Sequence, residues 1–169
     1  EGDSGIQGSG TGSPAGLRQI IDLVSTYNVN KALTLGVNAA FARQENALRP
    51  DGKGGSLTDA AHWNGQALYA NYQATDHWRV ALRAQRFDDG SGYRGSQVGF
   101  WSNNSASYYV PAAQKLYSQT LTVAYAPVDS VELRGEYRHD TSTQAVFVKS
   151  DGTQGHAQNT ISFEGIYKF

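Results

Sequence analysis

Apolar and polar residues alternate with a period of two along most of this chain. The pattern is clearest at residues 161–169, where one set of positions is Ile161, Phe163, Gly165, Tyr167 and Phe169 and the other is Ser162, Glu164, Ile166 and Lys168. Successive side chains of a strand point to opposite faces, so this period predicts a strand with one apolar face. Chain ends usually fray, and we therefore expect Phe169 to lie in an apolar environment.

Six further segments alternate in the same way. They predict strands over residues 17–29, 33–41, 61–73, 78–88, 117–126 and 131–138. About nine residues of alternation, as in the second segment, are near the length of a tilted membrane-spanning strand. The pattern of the third segment does not fix which of its sides is the apolar one. If Trp63, Gly65, Ala67 and Tyr69 face the apolar side, then Leu68 and Tyr72 point to the polar side.

The links between these segments alternate in length. Those after strands one, three and five have a few residues, whereas those after strands two, four and six are long polar loops over residues 45–60, 89–116 and 141–157. Transmembrane barrels show this asymmetry, with short turns at one end and long loops at the other. The short-turn end also collects aromatic residues, as an interfacial girdle would: Tyr27, Trp78, Tyr125, Tyr167 and Phe169.

Several stretches resemble known outer-membrane proteins. The closing strand ISFEGIYKF (161–169) resembles the last strand of bacterial outer-membrane barrels, whose terminal aromatic residue is read by the assembly machinery. The stretches TYNVNKALTLG (26–36), ALYANYQATDHW (67–78) and LRAQRFDDG (82–90) are similar to strand–turn–strand units of a porin. Together they resemble the second β-barrel porin family of Gram-negative bacteria over about residues 17–169. Members of that family are longer chains.

The resemblance implies an all-β fold, a transmembrane antiparallel up-and-down β-barrel in the bacterial outer membrane. Residues 1–16, with six glycines and three serines, are expected to form an external loop or linker, and residues 17–169 the C-terminal strands. Seven strands are an odd number, whereas single-chain bacterial barrels have an even number. Because an unpaired strand edge is costly in lipid, we expect upstream strands on the same or another chain to complete a larger closed barrel. The start EGDSG lacks the basic and apolar regions of a signal peptide, as expected after processing or where an upstream part is missing.

Composition and charge narrow the function classes. The chain has 169 residues, no Cys and no Met, which excludes disulfides and thiolate metal sites. Its formal charge of −1 argues against a nucleic-acid binder. The mean hydropathy of −0.50 is polar, as expected also for a membrane barrel in which every second strand residue faces a wet lumen.

The two faces supply the candidate site residues. The predicted lipid-facing and girdle positions are Tyr27, Leu35, Phe41, Trp78, Val80, Leu82, Val123, Tyr125, Tyr137, Phe163, Tyr167 and Phe169, and the predicted assembly signal is Phe163, Gly165, Tyr167 and Phe169. The predicted pore-lining positions are Arg79, Arg83, Gln85, Glu132, Arg134, Glu136, Arg138, Glu164 and Lys168. A ring of one charge sign selects ions strongly, so this mixture predicts a weakly selective, water-filled channel for small hydrophilic solutes.

The same charged residues have a structural interpretation, as cross-strand ion pairs that brace the wall. Strand six fits both interpretations equally. Arg79 and Arg83 favour the pore, because their neighbours on strand five are uncharged. Residues 100–109 could fold inward and narrow the pore or remain an external loop.

Other functions remain open at this point. The barrel could be a wall around a lumen partner, such as an electron carrier or plug, or a soluble barrel that binds a ligand. Catalysis is not expected, since His62, His77, His139 and His156 lack metal-ligand spacing, and no cofactor is predicted. The expected partners are the lipid bilayer, lipopolysaccharide, the assembly machinery, upstream strands and a possible second copy, with no nucleic acid.

Overall fold

The computed structural model describes residues 16–50, 56–94 and 113–169. These residues form an all-β structure, because the alternating segments pair as strands. The strands are β1 (Arg18–Asn28), β2 (Leu33–Pro50), β3 (Ser56–Gln73), β4 (Trp78–Asp89), β5 (Gln114–Val128), β6 (Val131–Ser142), β7 (Phe147–Val148), β8 (Gln154–Gly155) and β9 (Ala157–Tyr167). None of the described residues forms a helix long and apolar enough to cross a bilayer. The expected loop over residues 1–16 lies outside the described residues except for Gly16.

Seven strands form one sheet in the order β1-β2-β3-β4-β5-β6-β9, and β7 and β8 form a separate pair. Each strand of the large sheet pairs with the next one along the chain, which is the antiparallel up-and-down arrangement predicted from the sequence. In the part of the chain that the structure describes, no pairing joins β1 to β9. The all-β, seven-strand prediction is confirmed.

The chain divides into two compact units. Of the described residues, the first contains 16–22, 40–50, 56–65, 87–94 and 113–115, and the second contains 23–39, 66–86 and 116–169. Each unit has its own cluster of polar side chains.

The exposure of side chains on the sheet is the reverse of that in a soluble domain, where large apolar side chains are buried and polar ones are exposed. The buried apolar residues are mostly small, and Ser118, Thr120 and Asp140 are buried among the polar ones. Large apolar side chains are exposed, with Phe163 at 85%. The register explains the separation, since Leu121 pairs with Tyr137 on one face and Thr122 pairs with Glu136 on the other. We call these the apolar face and the polar face.

The prediction of a loop over residues 45–60 is wrong for most of that range. Residues 45–50 continue β2 and residues 56–60 begin β3, while 51–55 lie outside the described residues. The segment lacks apolar alternation, but strand pairing uses main-chain groups and does not require it. Asn46 has a φ of 50° within β2; Asn tolerates this left-handed conformation better than most residues.

The phase of the third predicted strand is now defined. A Cβ at Gly36 would lie 3.4 Å from the Tyr69 side chain, so both residues are on the same face. Ala67, in phase with Tyr69, is buried, whereas Leu68 and Tyr72 are exposed. The alternative in which Trp63, Gly65, Ala67 and Tyr69 face the apolar side is therefore wrong. The exposed Leu68 and Tyr72 are on the apolar face, and the buried Ala67 is on the opposite face.

Short turns at residues 29–32, 74–77 and 129–130 connect three of the strand pairs. In the first, the Asn30 Oδ1 accepts hydrogen bonds from the backbone N–H of Ala32 at 2.8 Å and of Leu33 at 2.9 Å. In the second, the Thr75 Oγ1 accepts from the backbone N–H of Trp78 at 3.1 Å. Asn and Thr side chains replace missing main-chain partners in this way.

We expect Asn30→Ala to lower the free energy of unfolding by about 1 kcal/mol, the usual net value of a lost hydrogen bond. Lys31→Ala in the same exposed turn is the matched control, since no hydrogen bond involves the Lys31 side chain among the described residues. Urea unfolding in detergent micelles measures both variants. Equal stability of the two variants would contradict the role assigned to Asn30.

The predicted loop over residues 141–157 contains the small β7–β8 hairpin, which the sequence did not predict. Gly152 occupies its turn with a φ of 80°. The Thr153 hydroxyl and backbone N–H donate to the Asp151 carboxylate at 2.6 and 2.9 Å, and these bonds, the hydroxyl first, lower the pKa of Asp151. The Ser150-Asp151-Gly152 stretch is thus a turn closed by its own side chains.

Candidate functional site

The polar face of the second unit is built by β6 and its neighbours. Alternation along β6 puts Glu132, Arg134, Glu136 and Arg138 on this face, and the register places Arg134 opposite Glu164 on β9. Charged side chains from adjacent strands are therefore close enough to pair.

Glu132 is the centre of an ion-pair network. Its Oε1 accepts hydrogen bonds from the Arg79 Nη2 at 2.7 Å and the Arg134 Nε at 2.5 Å, and its Oε2 lies 4.0 Å from the Lys168 Nζ. The Arg134 Nη1 also donates to the Glu164 Oε2 at 3.1 Å. Two carboxylates therefore compensate three cations contributed by β4, β6 and the residue that follows β9.

A second pair lies further along β6. The Arg138 Nε donates to the Asp140 Oδ1 at 2.8 Å, and the Gln158 Nε2 donates to the other carboxylate oxygen at 3.1 Å. Asp140 is buried, and burying a carboxylate is tolerated only when its oxygens are hydrogen-bonded. The sequence did not indicate Asp140 as part of the polar face.

Arg83 and Glu136 differ from these paired residues. Among the described residues, Arg83 forms no ion pair and its buried Nε has no hydrogen-bond partner. The Glu136 Oε2 accepts a hydrogen bond from the Thr122 hydroxyl at 3.0 Å, and no cation of the described chain pairs with it. Gln85 is half-buried in the same phase as Arg83 along β4.

These contacts separate the predicted pore-lining residues into two groups. Arg79, Glu132, Arg134, Glu164 and Lys168 belong to one network, and Arg138 pairs with Asp140. For Arg79 the bracing interpretation has a partner that the sequence did not suggest, since Glu132 lies on β6 and β5 separates that strand from β4. Arg83 and Glu136 are the charges with no opposite charge bound to them in the described residues.

The predicted lipid-facing residues are largely exposed. Exposed members are Tyr27, Leu35, Phe41, Trp78, Leu82, Val123, Tyr137, Phe163, Tyr167 and Phe169, and half-buried members are Val80 and Tyr125. The Trp78 and Tyr125 rings lie 4.6 Å apart between centroids, which explains the partial burial of Tyr125. Gly135 and Gly165 leave the apolar face open beside Phe163 and Leu133 respectively.

The first unit contains a cluster that the sequence did not predict. Tyr93 follows β4, is 1% exposed, and packs with Ala47 and Ala61. Its ring lies 5.5 Å from that of Trp63 between centroids. The Arg18 Nη2 donates to the Tyr93 hydroxyl at 3.3 Å.

Two buried polar side chains hold this cluster. The Asp89 carboxylate accepts from the backbone N–H of Tyr93 at 3.1 Å and of Arg94 at 2.7 Å. Gln44 accepts from the Arg18 Nε at 2.9 Å and donates to the Gly16 carbonyl at 3.0 Å. Gln44 and Asp89 lie in polar sequence contexts typical of loops, so only their burial distinguishes them.

The histidines form separate contacts. His77 and His156 each contact a main-chain carbonyl through Nδ1, and the Nδ1 of His139 lies 2.7 Å from Asn159 Oδ1. In the described part of the chain, no group of three or more His, Asp or Glu residues is arranged to hold a metal ion. Residues 100–109, the segment that could narrow the pore, lie outside the described residues.

Similarity to known proteins extends along almost the whole chain. The family model described as "Putative beta-barrel porin-2, OmpL-like" matches residues 3–169. No curated protein matches the chain. No solved structure matches it either.

Proposed function

Since the chain belongs to the beta-barrel porin-2, OmpL-like family, we propose that it forms the wall of a water-filled, weakly selective pore in the bacterial outer membrane. The observation that carries this proposal is the inverse distribution of side chains. Large apolar residues are exposed mainly on one face of the sheet, while most buried positions are polar or small. Hydrocarbon outside and water inside a barrel require this distribution.

The polar face supports passage of small hydrophilic solutes. Its charges have both signs and most are paired, so they give little net field along the pore. Arg83 and Glu136 remain available to passing ions and polar solutes. We assign no catalytic step to these residues.

The two edge strands support additional wall strands. β1 and β9 are exposed along almost their whole length on both faces. In hydrocarbon each unsatisfied main-chain group costs several kcal/mol. We propose that strands from the same or another chain pair with β1 and β9 and close the barrel, and that the 163–169 aromatic pattern directs its assembly. Lipid and lipopolysaccharide then contact the apolar face.

Planar-bilayer recording of the full-length protein tests the proposal. A pore gives discrete, ohmic conductance steps in KCl. A wall occupied by an electron carrier or plug gives an inserted, folded protein without conductance. A protein that stays monomeric in buffer without detergent would instead support a soluble ligand-binding barrel, a function that the exposed apolar face disfavours.

Arg83→Gln should lower the chloride-to-potassium permeability ratio by up to about five-fold, since a unit charge about 4 Å from an ion in water changes its energy by about 1 kcal/mol. Arg79→Gln is the matched control because Glu132 already compensates Arg79, and its effect should be smaller. Reversal potentials in a KCl gradient measure both. A larger effect of Arg79→Gln would contradict the assignment of Arg83 as the free lumen charge.

A further inference from the structure

The segment from Asp89 to Arg94, here called the crossing segment, extends from the end of β4 toward β1. Its Tyr93 hydroxyl accepts a hydrogen bond from Arg18 on β1. In the sheet, β2 and β3 lie between β4 and β1. Neighbouring strands are about 4.8 Å apart. The Tyr93 side chain, which packs on Ala61 of β3 and Ala47 of β2, spans these two strands to make the contact.

The crossing segment lies on the polar face. Asp89 is in phase with Gln85 along β4, and Gln44 is in phase with Thr34 and Asn38 along β2. Trp63, which stacks on Tyr93, is in phase with Tyr69 and hence on the face of Gly36. An external loop would not bury these side chains against the inner surface of the wall.

The contacts of Tyr93 also lie within the height of the wall and not above the ends of its strands. β2 continues beyond Gln44 to Pro50, and β3 begins at Ser56, before Ala61. Each further strand residue adds about 3.3 Å of wall. Tyr93 therefore packs on Ala47 and Ala61 below the ends of these two strands.

The position of the crossing segment is fixed by buried contacts. Asp89 is 0% exposed and binds two consecutive N–H groups of the segment, and the Gly92 N–H donates to the Asp89 carbonyl at 2.9 Å. Gly92 has a φ of 67°, which permits this tight turn. These contacts hold residues 89–94 in one tight turn.

Two cations lie at the crossing segment, Arg18 on β1 and Arg94 at the end of the segment itself. Arg18 is hydrogen-bonded to Gln44 and Tyr93, both neutral. The Arg94 guanidinium lies over Trp63 at 5.6 Å from the ring centroid and is exposed. Neither cation has a carboxylate partner among the described residues, and the Asp89 carboxylate binds backbone N–H groups.

From these observations we infer that the crossing segment is a fixed constriction that favours anionic solutes such as small carboxylates. This inference rests on the proposed pore. It adds a place, near the β2–β3 end of the wall, where the size and the charge of a solute are tested.

The test is planar-bilayer recording of the full-length protein with KCl and potassium acetate as probes. Arg94→Gln, an exposed change, should lower the preference for chloride and acetate over potassium, and Arg18→Gln with Arg94→Gln should lower it by about five-fold or more, from the weight of unit charges in water. Tyr93→Ala removes the side chain that packs the crossing segment on β2 and β3, and it should raise the single-channel conductance. Arg43→Gln is the charge-matched control, since Arg43 lies in the phase of exposed Phe41 and pairs with Glu45.

The outcomes separate the two proposals. If the folded wild-type protein gives no conductance, the proposed pore itself is rejected. A conducting wild-type protein whose selectivity is unchanged by Arg94→Gln and by the double substitution overturns only the constriction. Should Tyr93→Ala fail to fold, Tyr93→Phe, which keeps the ring packing and releases Arg18, gives the second measurement. Unchanged single-channel conductance in a folded Tyr93→Ala variant also overturns the constriction, and so does an unchanged anion preference in Tyr93→Phe, in which Arg18 loses its hydrogen bond to the Tyr93 hydroxyl.

Discussion

Leu121→Arg is expected to destabilise the folded protein in a bilayer by about 2–4 kcal/mol, the cost of an arginine on the lipid face of a barrel near the midplane. Leu121 lies at the middle of β5 (Gln114–Val128) and is exposed on the apolar face opposite Tyr137. The substitution removes no buried contact of a dry core. Its cost therefore measures transfer of a cation into hydrocarbon, and urea unfolding in lipid vesicles gives its value.

Thr122→Arg is the matched control on the polar face. Thr122 is opposite Glu136 in the register, so the new guanidinium faces a carboxylate that has no cation partner in the described residues. We expect a change within about 1 kcal/mol, as for other exposed ion pairs. Equal stability of the two variants in lipid would reject the assigned orientation.

The alternating segments were sufficient to predict the seven-stranded sheet because local side-chain period and main-chain pairing coincide there. Where they do not coincide, the prediction was wrong. Residues 45–50 are strand although their side chains do not alternate. Beyond the proposed hydrocarbon both faces would be wet, so an apolar face is no longer required while main-chain hydrogen bonds still are.

The candidate site was less predictable, since its contacts join residues that are distant in sequence. Arg79 and Glu132 are 53 residues apart, and Arg18 and Tyr93 are 75 apart. A period of two assigns a face to a side chain but does not choose its partner. Tyr93 adds a further difficulty, because it follows a strand and lies in a Gly- and Ser-rich context typical of an exposed loop. Only the buried Asp89 contacts distinguish it.

Glu132→Gln should lower the free energy of unfolding by about 2 kcal/mol. Removing one partner of a fully buried ion pair costs about 3–5 kcal/mol because uncompensated charge remains. Here the Glu132 side chain is 13% exposed, but Arg79 and Arg134 are 31% and 34% exposed, so water screens part of the loss. The amide keeps the shape of the carboxylate and removes its charge, which leaves Arg79, Arg134 and Lys168 facing one another.

Glu164→Gln is the matched control, because it removes an ordinary ion pair and leaves the carboxylate that three cations share. Glu164 is 59% exposed and contacts Arg134 alone among the cations of the described chain, so its loss should cost no more than about 1 kcal/mol. Because repulsion among three cations is screened by salt, the difference between the two variants should shrink from low to high KCl in urea unfolding. A Glu132→Gln effect equal to that of Glu164→Gln would mean that Glu132 does not hold the three cations together.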